Sequence, residues 1–137
     1  MKKFAQFISL ALVAVMCVAL LASCAPASDP DKAVAALKDA GYVAGKDTGL
    51  SAFISALTGN KLSAVVSGTK TDDDKNLQTV YILYYETADD AKSAYESSAL
   101  KKYFDDKKEN KEETDYVYAK SGKMVYFGTK TAIKDAR

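Results

Sequence analysis

The feature that most constrains the fold is an apolar segment near the middle of the chain. Residues Leu77–Glu86 read LQTVYILYYE, and most positions from Val80 onward are β-branched or aromatic. Such residues favour strands over helices. Side chains alternate between the two faces of a strand, and here apolar side chains occupy both faces. The pattern predicts a strand with a central position in a sheet.

Three segments carry the signals of helices. Each begins with a residue whose side-chain oxygen can accept a hydrogen bond from a first-turn N–H, and apolar residues follow at spacings of three and four. A glycine follows each of the first two segments and is expected to end the helix there. In the third, the apolar stripe changes side, which predicts a bend or break near Ser97–Ala99. The segments run from Asp29-Pro30 to Gly41, from Asp47 or Thr48 to Gly59, and from Thr87 to Phe104.

The remaining segments predict further strands and a last short helix. After the first helix the predicted order is β-α-β-β-α-β-β, which indicates a split βαβ arrangement. The expected fold is therefore α+β, with an antiparallel-rich sheet, helices on one face and a short N-terminal helix before it. The additional segments are Tyr42–Lys46, Leu62–Lys70, a hairpin over 115–128 and a helix from Thr129 to Arg137.

The predicted hairpin concentrates aromatic residues on one face. With a two-residue loop at Ser121-Gly122, the side chains of Tyr116, Tyr118, Val125 and Phe127 lie on the same side. An uncovered face of this kind would offer flat, amphipathic area to a protein or peptide partner. A covered face would place the rings in the core and the hydroxyls at its rim. We expect the covered arrangement and keep the four residues as a candidate partner face.

The N-terminus has the pattern of a secretory leader. Two lysines precede an uncharged, largely apolar stretch, which ends in Leu21-Ala22-Ser23-Cys24. This ending resembles the lipobox of bacterial lipoproteins, an aliphatic residue and two small residues before the cysteine that is modified. The resemblance implies cleavage between Ser23 and Cys24, transfer of diacylglycerol to the Cys24 sulfur, and acylation, for example by palmitate, of the freed amine. Two or three acyl chains anchor a protein stably.

The leader also defines the expected organisation and location. We expect a signal peptide over 1–23, a lipidated tether over 24–28 and a single domain over 29–137. The protein would then lie outside the cytoplasm, anchored to the bacterial cell membrane by lipid. An uncleaved membrane span is the competing interpretation. The apolar stretch is slightly short for a span, and a span does not require the small residues before Cys24.

A second resemblance covers about half of the mature chain. Three runs are similar to those of uncharacterised small lipoproteins of Firmicutes, namely Val80–Tyr85, Asp89–Tyr95 and Ser121–Thr129. That family carries no assigned activity. The resemblance therefore supports the location and adds nothing about mechanism.

Several kinds of chemistry are excluded or disfavoured by composition. The chain has no histidine, which excludes Ser-His-Asp triads and His-containing zinc sites. Cys24 is the only cysteine outside the leader, and lipidation would remove its thiol. Lys and Arg total 19 against 18 Asp and Glu, which is not the clustered basic surplus of a nucleic-acid-binding domain. We expect no metal, no cofactor and no nucleic-acid partner.

The spacing of Asp72, Asp74 and Asn76 imitates the start of a calcium-binding loop. The glycine and glutamate that complete such a loop are replaced by Leu77 and Leu83. We interpret these polar residues as a hairpin turn. Pairs of adjacent carboxylates elsewhere fit helix capping and solvation better than catalysis across a cleft.

The function predicted from the sequence is a non-enzymatic binding or accessory domain on the outer side of the membrane. The alternative is a small cell-envelope enzyme that uses carboxylates or a serine–lysine pair. A structural spacer without a ligand is the third interpretation. A concave site with convergent polar groups would favour the enzyme, and an exposed apolar patch would argue against the spacer.

Overall fold

A computed structural model describes residues 25–108 and 116–137 of the chain. Its five strands form one sheet in the order β1-β2-β3-β5-β4, and all neighbouring strands are antiparallel. β3 lies in the middle, as its two apolar faces predicted. The strands are β1 (Val43–Lys46), β2 (Leu62–Thr71), β3 (Leu77–Tyr85), β4 (Tyr116–Ser121) and β5 (Met124–Thr129).

The helices begin and end where the local signals indicate. Asp29 and Asp47 are N-caps whose carboxylates accept hydrogen bonds from backbone N–H groups. Gly59 ends its helix in the left-handed conformation that glycine adopts readily. Ser97 separates two helices, which confirms the predicted break. The helices are α1 (Pro30–Asp39), α2 (Thr48–Thr58), α3 (Ala88–Glu96), α4 (Ser98–Asp106) and α5 (Lys130–Asp135).

The second half of the domain is a split βαβ unit. β3 and β4 are each antiparallel to β5, so they are parallel to each other. Helices α3 and α4 connect β3 to β4, and in the sheet β5 lies between these two strands. The predicted α+β class and its antiparallel-rich sheet are confirmed.

The expectation of helices on one face holds for α2, α3 and α4 but was wrong for the last helix, α5, which lies on the opposite face with α1. Helices α1 and α5 cover one side of the sheet, which we call the α1/α5 face, and there they bury Val80, Ile82 and Tyr84 of β3. Helices α2, α3 and α4 cover the opposite side, the α2–α4 face, and bury Leu83 and Tyr85. The composition of β3 explains why helices cover both faces. A strand with apolar side chains on both faces is stable only if both faces are removed from water.

The hairpin turn lies one residue later than predicted. Gly122 and Lys123 form the two-residue loop, and Ser121 pairs with Met124. Gly122 has φ of 57° at the first loop position, where a type II′ turn places glycine. The pairing consequently shifts by two residues, an even number, which leaves every side chain on its predicted face.

Candidate functional site

An open groove of about 480 Å³ lies on the α2–α4 face. Its size is within the range of ligand pockets in proteins. One wall is the first half of α2, the other is the end of α4, and β3 contributes to the floor. The residues that line it are Asp47, Gly49, Leu50, Phe53, Tyr81, Tyr103 and Lys107.

Two features of α2 form its wall of the groove: the cap at its first turn, and the rotation of the helix about its own axis relative to the sheet. The Asp47 carboxylate accepts a hydrogen bond from the Leu50 N–H at 2.9 Å, which holds the first turn. Ile54 is fully buried, whereas Phe53 on the other edge of the apolar stripe is 51% exposed. This rotation places a large aromatic ring at the rim of the groove instead of in the core.

The α4 wall consists of Tyr103 and Lys107, one helical turn apart. The rings of Phe53 and Tyr103 lie with centroids 5.4 Å apart, so they connect the two walls. The Lys107 Nζ lies 5.2 Å from the centroid of the Tyr103 ring, a cation–π distance. Since Lys107 is exposed, it places a positive charge at this end of the groove.

The floor is a half-buried ring on a rigid support. Tyr81 of β3 has its ring centroid 5.9 Å from that of Phe104 and 6.5 Å from that of Phe127. Phe104 and Phe127 are both buried and stack on each other at 4.8 Å. The groove is therefore lined mainly by apolar and aromatic atoms, with charged groups at its edges, an arrangement suited to binding.

The four residues of the candidate partner face do not form an open surface. Val125 and Phe127 are buried, and Tyr116 stacks on Phe127 with ring centroids 5.4 Å apart. Tyr118 is partly buried, stacks on Tyr95 at 4.8 Å and donates its hydroxyl to the Tyr95 carbonyl oxygen at 2.9 Å. The reason is topological, because the α3 and α4 crossover of the split βαβ unit lies on this side of the hairpin. None of these side chains lines the groove.

The residues that imitate a calcium loop are used within the turn between β2 and β3. One oxygen of Asp72 accepts the N–H groups of Asp74 and Asn76 at 3.0 and 2.8 Å, and the other accepts from the Gln78 amide at 3.1 Å. Across residues 25–108 and 116–137, no group of three or more His, Cys, Asp and Glu side chains is placed to hold a metal ion.

Among the described residues, the carboxylate pairs relevant to the enzyme alternative do not line the groove. Asp89 and Asp90 occupy the first turn of α3, where the helix dipole favours negative charge. Asp105 forms an ion pair with Lys108 at 3.1 Å near the end of α4. The pair Glu112-Glu113 lies outside the described residues.

Raised pKa values are found for Tyr42, Tyr84, Tyr85 and Tyr118 among the described residues, and all four lie outside the groove lining. Burial is the first cause in each, and it raises the pKa of Tyr85 to about 12. Burial followed by the hydrogen bond to Asp135 raises the pKa of Tyr42, and burial also raises the pKa values of Tyr84 and Tyr118. These hydroxyls remain neutral near pH 7, and those of Tyr42, Tyr84 and Tyr118 donate hydrogen bonds to oxygen atoms.

Sequence reasoning missed the groove because it treated the apolar residues of α2 as one buried stripe. Leu50, Phe53, Ile54 and Leu57 span an arc of about 100° around an ideal helix. Phe53 and Ile54 lie at its two edges, and the structure buries only Ile54 completely. The width of this arc could have indicated the groove, since a neighbouring element that covers one edge of the arc can leave the other edge exposed.

Comparison of the chain with protein-family models, curated proteins and solved structures gives no match. Ser23 and Cys24, the predicted cleavage and lipidation sites, lie outside the described residues, which begin at Ala25. Among the helices of the described ranges, none combines the length and the apolar character needed to cross a bilayer.

Proposed function

We propose that this protein is a membrane-anchored extracytoplasmic lipoprotein whose domain binds, without catalysis, an extended peptide segment of a partner protein. The binding site is the groove between α2 and α4. The observation that carries the proposal is the half-exposed Phe53 ring, held against Tyr103 above the Tyr81 floor. Exposing a large aromatic side chain to water is unfavourable unless another surface covers it.

The shape of the apolar surface favours an elongated ligand. Three large apolar residues are exposed in the described part of the chain, Val43, Phe53 and Leu57. Phe53 and Leu57 are one turn apart on α2 and lie on the same side of the helix. The apolar strip therefore continues along α2 beyond the groove, which an extended peptide could follow and a compact metabolite could not.

The chemistry of the groove specifies the peptide. An aromatic or proline side chain would fit against the rings of Phe53, Tyr81 and Tyr103, since aromatic-lined grooves bind such segments. Lys107 favours an acidic residue nearby in the ligand. The carboxylate of Asp47 is engaged as the cap of α2 at the other wall, so an acidic residue of the peptide is expected at the Lys107 end of the groove.

The anchor part of the proposal is supported by the leader. Its basic start, apolar stretch and Leu21-Ala22-Ser23-Cys24 ending resemble a lipoprotein signal. The expected consequence is that Cys24→Ala leaves an unprocessed precursor that incorporates no labelled palmitate.

The binding site is tested by selecting linear peptides from a displayed random library on the full-length lipidated protein in detergent. We expect the selected peptides to combine an aromatic or proline residue with an acidic one. Phe53→Ala should weaken their binding at least tenfold. Val43→Ala is the matched control, because Val43 is exposed and apolar but lies on β1. Peptides that bind both variants equally would overturn the proposed site.

A further inference from the structure

The residues that follow the predicted lipidation site are part of the folded domain. The Ala27 N–H donates to the carbonyl oxygen of Ala136 at 2.9 Å. The Tyr84 hydroxyl donates to the carbonyl oxygen of Ala27 at 2.8 Å. Both backbone polar groups of Ala27 are thus satisfied by residues remote in the sequence, as in a strand or helix rather than a loose linker.

Packing holds the same segment in place. Pro26 is buried, and Ala25 and Ala27 lie against the core of the α1/α5 face. A free tether over 24–28 could extend by up to about 20 Å and would let the domain rotate. With residues 25–27 docked, Cys24 is bonded directly to a residue that the fold immobilises.

The position of Tyr84 defines the end of the sheet from which the anchor leaves. Tyr84 pairs with Met124, next to the exposed turn at Gly122 and Lys123. The first turn of α1 lies at the same end, since Asp31 forms an ion pair of 2.7 Å with Lys46 at the end of β1. The loop between β2 and β3, which contains Asp74, lies at the opposite end.

From this geometry we infer that the domain binds the bilayer surface in one orientation, with the Lys123 end of the sheet towards the lipid headgroups. The inference rests on lipidation of Cys24 in the proposed function. The docked segment lies on the α1/α5 face, whereas the groove opens on the α2–α4 face. The sheet therefore separates the anchor from the groove, and the groove stays accessible to a peptide beside the membrane.

The orientation is tested with single fluorophores attached through Lys123→Cys or Asp74→Cys in the full-length lipidated protein. Both positions are exposed, and lipidation blocks the thiol of Cys24. The proteins are bound to phosphatidylcholine–phosphatidylglycerol vesicles that contain a lipid with a quencher on its headgroup. We expect quenching at position 123 to be several-fold stronger than at position 74. Equal quenching at the two positions would overturn the fixed orientation.

Two further variants test the cause of that orientation. A flexible Gly-Ser segment inserted between Cys24 and Ala25 should make the quenching at the two positions nearly equal. Tyr84→Phe, which keeps the ring but removes the donor to Ala27, should reduce the difference. An unchanged difference in both variants would show that the docked segment does not orient the domain. Vesicle flotation separates this result from failure of the anchor, because a protein without lipid would not float with the vesicles.

Discussion

The helices on the two faces of the sheet contribute different kinds of side chain to the core. On the α1/α5 face, neighbouring elements approach closely at glycines. A Cβ added to Gly68 would lie 3.0 Å from Leu37 Cδ1, and one added to Gly128 would lie 2.4 Å from the Thr79 carbonyl oxygen. The helices of this face contribute mainly alanines beside Leu37 and Ile133, namely Ala33, Ala132 and Ala136.

The α2–α4 face is closed by aromatic rings. In the described part of the chain, eight ring pairs on this face have centroids 4.8 to 6.5 Å apart, and four of them join α3 or α4 to a strand of the sheet. Phe104 takes part in four of them. The difference lies in the helices. Those of the α1/α5 face pack small residues against the sheet, whereas α2, α3 and α4 contribute rings that are buried at the centre, as Phe104 is, and half-exposed at the edge, as Phe53 is. The groove is at that edge.

Alkaline pH should lower the stability of the fold more than any single substitution, because it ionises buried tyrosines on both faces of the sheet. Tyr42 and Tyr84 lie on the α1/α5 face, Tyr85 and Tyr118 on the other, and burial raises all four pKa values above 10. The unfolded state then holds fewer protons than the folded state, so stability is complete below pH 10 and falls as pH rises through about 12, the folded value for Tyr85. We expect tyrosinate absorbance to rise in the same transition in which far-UV circular dichroism is lost.

The Tyr85→Phe variant is the control for alkaline unfolding. It removes one ionising group and should move the transition to higher pH. If all tyrosines ionised near pH 10 while circular dichroism stayed constant, the four hydroxyls would be solvated and this description of both faces would fail.

The central ring of the α2–α4 face gives the next largest effect. Phe104 is 1% exposed, and Phe104→Ala should lower the free energy of unfolding by about 3–5 kcal/mol, as for other large-to-small core changes. Phe53→Ala is the matched control, because this ring lies at the edge and is half-exposed, and we expect a loss of only about 0.5–1.5 kcal/mol. Urea denaturation measures both. Equal losses would mean that the face has no distinct centre and edge.

Close packing on the α1/α5 face is tested with Gly128→Ala. The added methyl group would meet backbone atoms of Thr79 and Val80, which cannot move aside as a side chain can. We expect a loss of about 1–3 kcal/mol or more from overpacking. Gly45→Ala on β1 is the control, since nothing lies within 4 Å of its added Cβ. A stable Gly128→Ala protein would show that this face has spare room.

The smallest effect concerns one hydroxyl on the α2–α4 face. Tyr118→Phe keeps the ring that stacks on Tyr95 and removes the donor to the Tyr95 carbonyl oxygen. The expected loss is about 0.5–1.5 kcal/mol, the net value of one hydrogen bond. Thermal denaturation at neutral pH measures it. A loss as large as that of Phe104→Ala would mean that the hydroxyl, and not ring packing, holds α3 on the hairpin.

Much of the fold could be predicted because its signals are local. The caps at Asp29 and Asp47, the stop at Gly59 and the break at Ser97 each depend on a few neighbouring residues. The central position of β3 followed from its composition. The side on which each helix packs depends on the chain path and on residues far apart in sequence, so the expectation of helices on one face was wrong for α5.

The candidate site was less predictable for the same reason. Phe53 and Tyr103 come from different helices, and only the tertiary arrangement brings their rings together. Tyr116 and Tyr118 were part of the candidate partner face because they lie close together within one hairpin, but the crossover helices cover them. The lipid anchor at Cys24 stays a prediction from the leader sequence.

The position of β5 has a consequence for the time course of folding. It is the last of the five strands in chain order, yet it pairs with β3 in the middle of the sheet. Until β5 has been synthesised, β3 keeps an unpaired edge and β4 has no partner. Such edges invite association with other chains. Folding therefore finishes late, and a chain stalled before Met124 would be prone to aggregation and proteolysis.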